Sequence, residues 1–317
     1  MKKSRTEFVP CSIYSTIVAA TAFVLLLSGC ETNDTPAVAT QGTAPSATGS
    51  TGAQAETTWP TSLTLGSRSP QPTGPAPTIT AKAAILISQS GRVLFEKNAD
   101  TRLAAASTQK LLLGIMVAER GNLGQVITIE EPDTWAEPTI MGIKPGQTYT
   151  RAELLRAVLV RSSNDIARAL ARDHSGSVSA FAGAMNVRAR QLGMYNSYFT
   201  NASGLPKPPG QYSTARDLAR LGQAALRISF VRDSVATKGM VFRFSNGSTK
   251  TLSNTNQVLR HFPYCNGLKT GYTNAAGRCL VSSATANGNT VIAVILGSKT
   301  PTVWEESEAL LRYGLGL

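Results

Sequence analysis

The sequence predicts a mixed α/β (α+β) domain over residues 81–317: one antiparallel sheet closed by its N- and C-terminal segments, with a helical insert resting on it. Two observations carry this. Strand-like apolar stretches bounded by turn residues stand at both ends of that span, and helical periodicity fills the middle. A third bounds the domain: residues 31–80 are Thr, Ala, Pro, Ser and Gly with only four charges (Glu31, Asp34, Glu56, Arg68), so nothing there can bury a core.

The elements follow in order. "AKAAILI" and "RVLFEK" flank "SQSG" and read as a hairpin. The apolar run after Ser107 reads as a helix ending near Gly121. In "YTRAELLRAVLV", Thr150 and Glu153 form a capping box, with Leu154, Leu155, Val158 and Leu159 on one face. A helix over 179–191 stops at Gly193. "STARDLARLGQAAL" is another, capped by Thr214 with Asp217. "VFRFSNGSTKTL" is a hairpin about Asn246-Gly247. Three strands follow, "GLKTGYT", "RCLVSSAT" and "TVIAVILG". A last helix runs from Thr302, boxed by Glu305, to Gly314.

The chain begins with Lys2, Lys3 and Arg5, then an uncharged stretch from Phe8 that ends in "LLLSGC" at Cys30. A basic start, an apolar run and small residues before a cleavage point read as an export signal. The Leu-small-Gly-Cys ending resembles a bacterial lipoprotein signal, which implies cleavage before Cys30 and acylation of that residue. A plain transmembrane anchor is the competing reading, since the stretch is long enough to span. Either way the bulk of the chain is expected outside the cytoplasm. The expected organisation is a signal over 1–29, a lipidated Cys30 with a tether over 30–80, and the domain over 81–317. As a coil, the tether reaches on the order of 40 Å.

The 317 residues carry a formal charge of +12. A basic exported domain suits anionic wall polymers or lipid headgroups, or needs no partner beyond solvent. No basic run or aromatic-interleaved patch points to nucleic acid. Of the four cysteines, Cys11 leaves with the signal and Cys30 is lipidated. Cys265 and Cys279 sit at different heights of the expected hairpin, roughly 20 Å apart along the strands, so two reduced thiols are expected.

The chemistry begins at "LAAASTQKLLLGIMV", where Ser107 and Lys110 stand one helical turn apart. Alone, such a pair describes a helix cap. With only His174 and His261 in the chain and no Gly-x-Ser-x-Gly, a Ser-His-Asp triad is unfavourable. No His-Glu-x-x-His or paired Cys-x-x-Cys exists, so neither a catalytic metal nor another cofactor is expected. Lys110 at i+3 can reach the Ser107 hydroxyl, and burial or a neighbouring cation would make it a base. "VRSSNDIARAL" places Ser162 and Asn164 in a break between helical segments. "GLKTGYTNAAG" places Lys269, Thr270 and Gly271 on a strand, followed by Tyr272.

S-x-x-K, then S-D-N, then K-T-G, in this order, is the motif set of penicillin-binding proteins and class A β-lactamases, and the middle motif here is Ser-Ser-Asn, which points towards carboxypeptidases. The stretches "MNVRARQLGMYNSYFTNASGL", "YSTARDLARL", "LSNTNQVL" and "GLKTGYTNAAGRCLVSSA" add to it. Over residues 80–317 the chain resembles the D-alanyl-D-alanine carboxypeptidase family of low-molecular-mass penicillin-binding proteins. The resemblance implies a β-lactamase/transpeptidase-like fold, a five-stranded antiparallel sheet flanked by helices with an all-helical insert. It implies peptidoglycan stem peptides as substrate and β-lactams as covalent inhibitors. It also implies roles: Ser107 as nucleophile, Lys110 as its base, Ser162 as proton relay, Asn164 on the substrate amide. Lys269 keeps the site electropositive, Thr270 helps bind the terminal carboxylate, and the Ser107 and Tyr272 N–H groups form the oxyanion hole.

Two departures from the family stand out. Relatives often carry a further C-terminal domain and a membrane helix, whereas this chain stops at Leu317, so the anchor is expected at Cys30. Where some relatives place an arginine for the substrate carboxylate this chain reads "NTNQ", with Arg278 the weak substitute. A class A β-lactamase would need a glutamate after the second motif, and none occurs between Glu153 and Glu305. A D,D-endopeptidase and an inactive wall-binding or β-lactam-sensing lipoprotein remain as alternatives.

Overall fold

The computed structural model describes residues 72 and 74–317. The signal segment 1–29, Cys30 and most of the expected tether lie outside the described residues. Strands β1 (Ala83–Ser88) and β2 (Val93–Lys97) form the first hairpin. A 3₁₀ turn, Ala106–Gln109, leads into α1 (Lys110–Glu119). A short ladder, β3 (Val126–Thr128) with β4 (Thr148–Thr150), precedes α2 (Arg151–Arg161), α3 (Asn164–Ser175) and α4 (Val178–Gln191). Next come α5 (Ala215–Arg227), α6 (Ser229–Ala236), the hairpin β5 (Gly239–Arg243) and β6 (Thr249–Ser253), and the short α7 (Val258–His261). Strands β7 (Cys265–Thr273), β8 (Gly277–Ala286) and β9 (Asn289–Ser298) and helix α8 (Thr302–Leu315) complete the domain.

The main sheet has five antiparallel strands in the order β2-β1-β9-β8-β7, so β7 is an edge. Strand β9 reads as an unbroken apolar run because both faces of the sheet are covered. Ile292, Val294 and Leu296 join the large core under the insert, while Val291, Ala293 and Ile295 join a second core beneath α8. Helix α1 crosses the insert buried from Lys110 to Val117, hydrophobic all round but for Lys110. Helix α5 lays its apolar stripe on the sheet at Gly222, where an added Cβ would lie 3.1 Å from Ile292 Cγ2 and 3.2 Å from Leu268 Cδ1.

Most elements form where the sequence places them. Thr150 and Glu153 make the capping box of α2, and Thr214 accepts from the Asp217 N–H at the start of α5. Cys265 pairs with Ala284 and Cys279 with Gly271, and both thiols are free and buried. The expected box at Thr302 does not form. Pro301 is the N-cap of α8, and the Val303 and Trp304 N–H groups already bond Lys299 O and Pro301 O. Thr302 therefore lies inside the first turn, where its hydroxyl cannot cap. Ser107 is not an N-cap either, since the 3₁₀ turn encloses it and no side-chain cap bond is made. Ile79 is buried and its carbonyl accepts from Lys97 Nζ at 2.6 Å. Thr80 and Ala81 bond the Glu306 carboxylate, so the chain is held before residue 81.

Candidate active site

Ser107 enters the 3₁₀ turn after Ala106, whose φ of +49° lies in the left-handed region. Two glycines permit that turn. A Cβ on Gly204 would stand 2.1 Å from Ala106 O, and one on Gly271 would stand 2.9 Å from Ala105 O and 3.0 Å from Ser107 N. The edge strand β7 and the 201–205 loop thus clamp the nucleophile's backbone from two sides. Either glycine replaced by alanine would push the turn out of place.

Lys110, the first residue of α1, is wholly buried. Its Nζ lies 2.8 Å from Ser107 Oγ, 2.7 Å from Asn164 Oδ1 and 2.7 Å from Ser203 O. Nζ donates to all three neighbours, and the Ser107 hydroxyl in turn donates to Ser203 O at 3.1 Å, so the enclosed amine is fully hydrogen-bonded. Burial, then the Lys269 ammonium, holds Lys110 well below its ordinary value, with Asp165 opposing. Lys269 is also fully enclosed, bonded to Thr270 O at 3.1 Å, and burial lowers it to about 7. Neither lysine has a carboxylate partner among the described residues. Two caged lysine amines side by side are costly for folding and useful for chemistry.

Asn164 opens α3 and is aimed by a strap over residues 138–142. Its N–H donates to Thr139 O at 2.8 Å and its Nδ2 donates to Pro138 O, which turns Oδ1 toward Lys110. Asp165, 1% exposed, fastens the strap: its carboxylate accepts from the Met141 and Gly142 N–H groups at 2.9 Å. Ser162 caps α2 in the left-handed conformation, two residues from Asn164.

Lys110 therefore touches both Ser107 and Asn164, and Lys269 meets it through its charge. Gly271 lies against the Ser107 backbone. Thr270 Oγ1 is 2.6 Å from Thr255 Oγ1, so "NTNQ" does reach the site, with a threonine where an arginine was sought. Tyr272, half exposed, continues β7 beyond Gly271, opposite Arg278. Arg278 stacks over the Tyr272 ring at 4.4 Å and donates from Nε to Thr300 Oγ1 at 2.7 Å, two residues along β8 from Leu280, which pairs with Thr270.

Sequence reasoning missed Ser203, whose carbonyl receives both Ser107 Oγ at 3.1 Å and Lys110 Nζ. It also missed Asn201, whose Oδ1 accepts from the Ser203 and Gly204 N–H groups and shapes that loop. A backbone acceptor has no side-chain signature, although "TNASGL" marked the stretch.

The sequence matches the D-alanyl-D-alanine carboxypeptidase family, a serine peptidase family, over residues 70–300. The chain belongs to this family. It is 34% identical over 227 residues to a D-alanyl-D-alanine carboxypeptidase of Bacillus subtilis, covering 70% of this chain and 58% of that one. A carboxypeptidase of Escherichia coli is 37% identical over 254 residues, 75% of this chain and 62% of that one. The chain thus spans about six tenths of the length of these two relatives. A family member from Mycobacterium tuberculosis, also named a D-alanyl-D-alanine carboxypeptidase, has a crystal structure matching at a TM-score of 0.73 and 31% identity, over 78% of this chain and 96% of that one. The transpeptidase-like fold expected from the motifs is the fold observed.

Proposed function

We propose that this chain is a serine D-alanyl-D-alanine carboxypeptidase that removes the terminal D-Ala of peptidoglycan stem pentapeptides. The observation that carries it is the buried Lys110 amine 2.8 Å from Ser107 Oγ, with no histidine among the hydrogen-bond partners of either. Ser107 Oγ attacks the carbonyl carbon of the penultimate D-Ala as Lys110 takes its proton. The Ser107 and Tyr272 N–H groups receive the oxyanion, a contact typically worth ~2.7–4 kcal/mol per donor. Ser162 passes a proton to the departing amine, and Asn164 holds the substrate amide. Lys269 and Thr270 draw the terminal carboxylate to the edge of β7, and Gly271 lets the substrate backbone approach. Water then hydrolyses the ester on Ser107.

A β-lactam resembles the D-Ala pair and would acylate Ser107 by the same attack. Its leaving group stays tethered, and no glutamate in residues 154–304 activates water, so the adduct should persist.

A second reading, cleavage of D,D-cross-links, has one observation in its favour. A D-alanyl-D-alanine endopeptidase of Pseudomonas aeruginosa is 32% identical over 219 residues, 68% of this chain and 70% of that one. Product analysis on pentapeptide and on cross-linked muropeptides separates the two: free D-Ala from the pentapeptide supports the carboxypeptidase, monomers from dimers the endopeptidase. The "LSGC" ending at Cys30 supports a lipid-anchored enzyme in the cell envelope, facing the wall.

A further inference from the structure

We propose that the cavity at the turn of the β7–β8 hairpin is a subsite for a carboxylate on the residue that precedes the D-Ala pair; this rests on the peptidase reading above. The cavity holds about 330 Å³ and is lined by Tyr272, Asn274, Arg278, Ser298, Lys299 and Thr300. Both charged residues in that lining are cations.

The direction of the substrate places the cavity. Strand β7 is the sheet edge, and an extended peptide adds to such an edge through main-chain bonds. Laid antiparallel, the peptide has its C-terminus beside Lys269 and Thr270 and its earlier residues beside Tyr272 to Asn274. The leaving D-Ala then lies toward the two buried lysines, and the retained half runs toward the cavity. A group recognised there belongs to the acyl portion of the substrate, not to its terminal carboxylate.

The chemistry of the lining selects an anion. Arg278 is fixed by its stack on Tyr272 and by the Nε bond to Thr300 Oγ1, which leaves its terminal amino groups without an acceptor among the described residues. Among the described residues neither Arg278 nor Lys299 forms an ion pair. The Glu306 carboxylate, which accepts from Ser298 Oγ at 3.1 Å, is held by Thr80 and Ala81. A fixed guanidinium fork beside an ammonium matches a carboxylate. Tyr272 links this recognition to the reaction, since its N–H faces the oxyanion and its ring carries Arg278.

The test uses the full chain and three N-acetyl tripeptides, Glu-D-Ala-D-Ala, Gln-D-Ala-D-Ala and Lys-D-Ala-D-Ala, at low ionic strength. D-Ala release should give kcat/KM in the order Glu, Gln, Lys. The Glu over Gln ratio should be roughly tenfold, within reach of one charge-assisted contact. In the double variant Arg278→Gln, Lys299→Gln that ratio should fall to about one. Equal rates on all three peptides in the wild type would overturn the subsite and leave the peptidase reading standing. A uniform loss on all three in the variant would put Arg278 on the shared terminal carboxylate and overturn it too. No D-Ala from any peptide would overturn both.

Discussion

Lys110 Nζ lies 2.8 Å from Ser107 Oγ, and the lysine is fully buried. The i, i+3 spacing alone does not ensure this, because most lysines in a first helical turn extend into water. Here Asn164 Oδ1 and Ser203 O hold the amine, and Lys269 discourages its protonation.

Replacing Lys110 with methionine keeps the volume and removes the base. Acylation by a fluorescent penicillin should fall by roughly 10²–10⁴-fold, the usual share of a general base. The melting temperature should not fall, since a buried amine is exchanged for an apolar chain. Labelling kinetics and a thermal melt on the same sample check both. Unchanged labelling would assign the proton to another group.

Asp165 acts through the strap. The Asp165→Asn variant keeps the size but cannot accept all the backbone N–H bonds, so Asn164 loses its brace. Acylation should slow by roughly ten- to a hundredfold, as a small misplacement of reacting groups does. Asp165 also raises the proton affinity of Lys110, so its removal lowers that affinity further. The acidic limb of the acylation profile should therefore move to lower pH in the variant. A slower enzyme with an unmoved limb would leave Asp165 a purely structural part.

Much of this was legible in the sequence. The unbroken run of β9 and the Thr150/Glu153 box of α2 each announce themselves through local rules, and the three motifs announce the site. What stayed hidden depends on chain segments that meet only in three dimensions. The Ser203 carbonyl arrives from 96 positions away and acts through its backbone. Helix α6 is only eight residues long and begins directly after α5, so it lacks a separate start signal. The Thr302/Glu305 pattern misled because Pro301 starts the helix one residue early. The strap over 138–142 has no periodicity, and only Asp165 and Asn164 reveal its purpose.

The two buried lysines also predict how stability varies with pH. Their folded values lie below the ordinary 10.5, Lys269 at about 7, so the unfolded chain binds more protons. Their contribution is at its least favourable below the folded value and improves as pH rises from about 7 toward 10.5. Burial raises the Cys265 and Cys279 thiols to about 11, which opposes this above pH 9. Between pH 7 and 9 the Lys269→Met variant should melt higher than the wild type at pH 7, with the gap narrowing by pH 9. Parallel melting curves across that range would contradict the burial argument.

The lipid anchor is tested at one residue. The Cys30→Ala variant should accumulate as an unlipidated precursor when cells are labelled with palmitate. Labelling equal to that of the wild type would contradict the lipoprotein reading and favour a membrane-spanning anchor.

The central claim is that Ser107 forms an acyl-enzyme which a tethered leaving group makes slow to hydrolyse. Intact-mass measurement of the full chain, followed over time after benzylpenicillin is added, tests it most directly. One penicillin mass should appear on the wild type, persist far longer than a peptide turnover and be absent from Ser107→Ala. Rapid multiple turnover of penicillin with no adduct, or an adduct that survives in Ser107→Ala, would contradict the account.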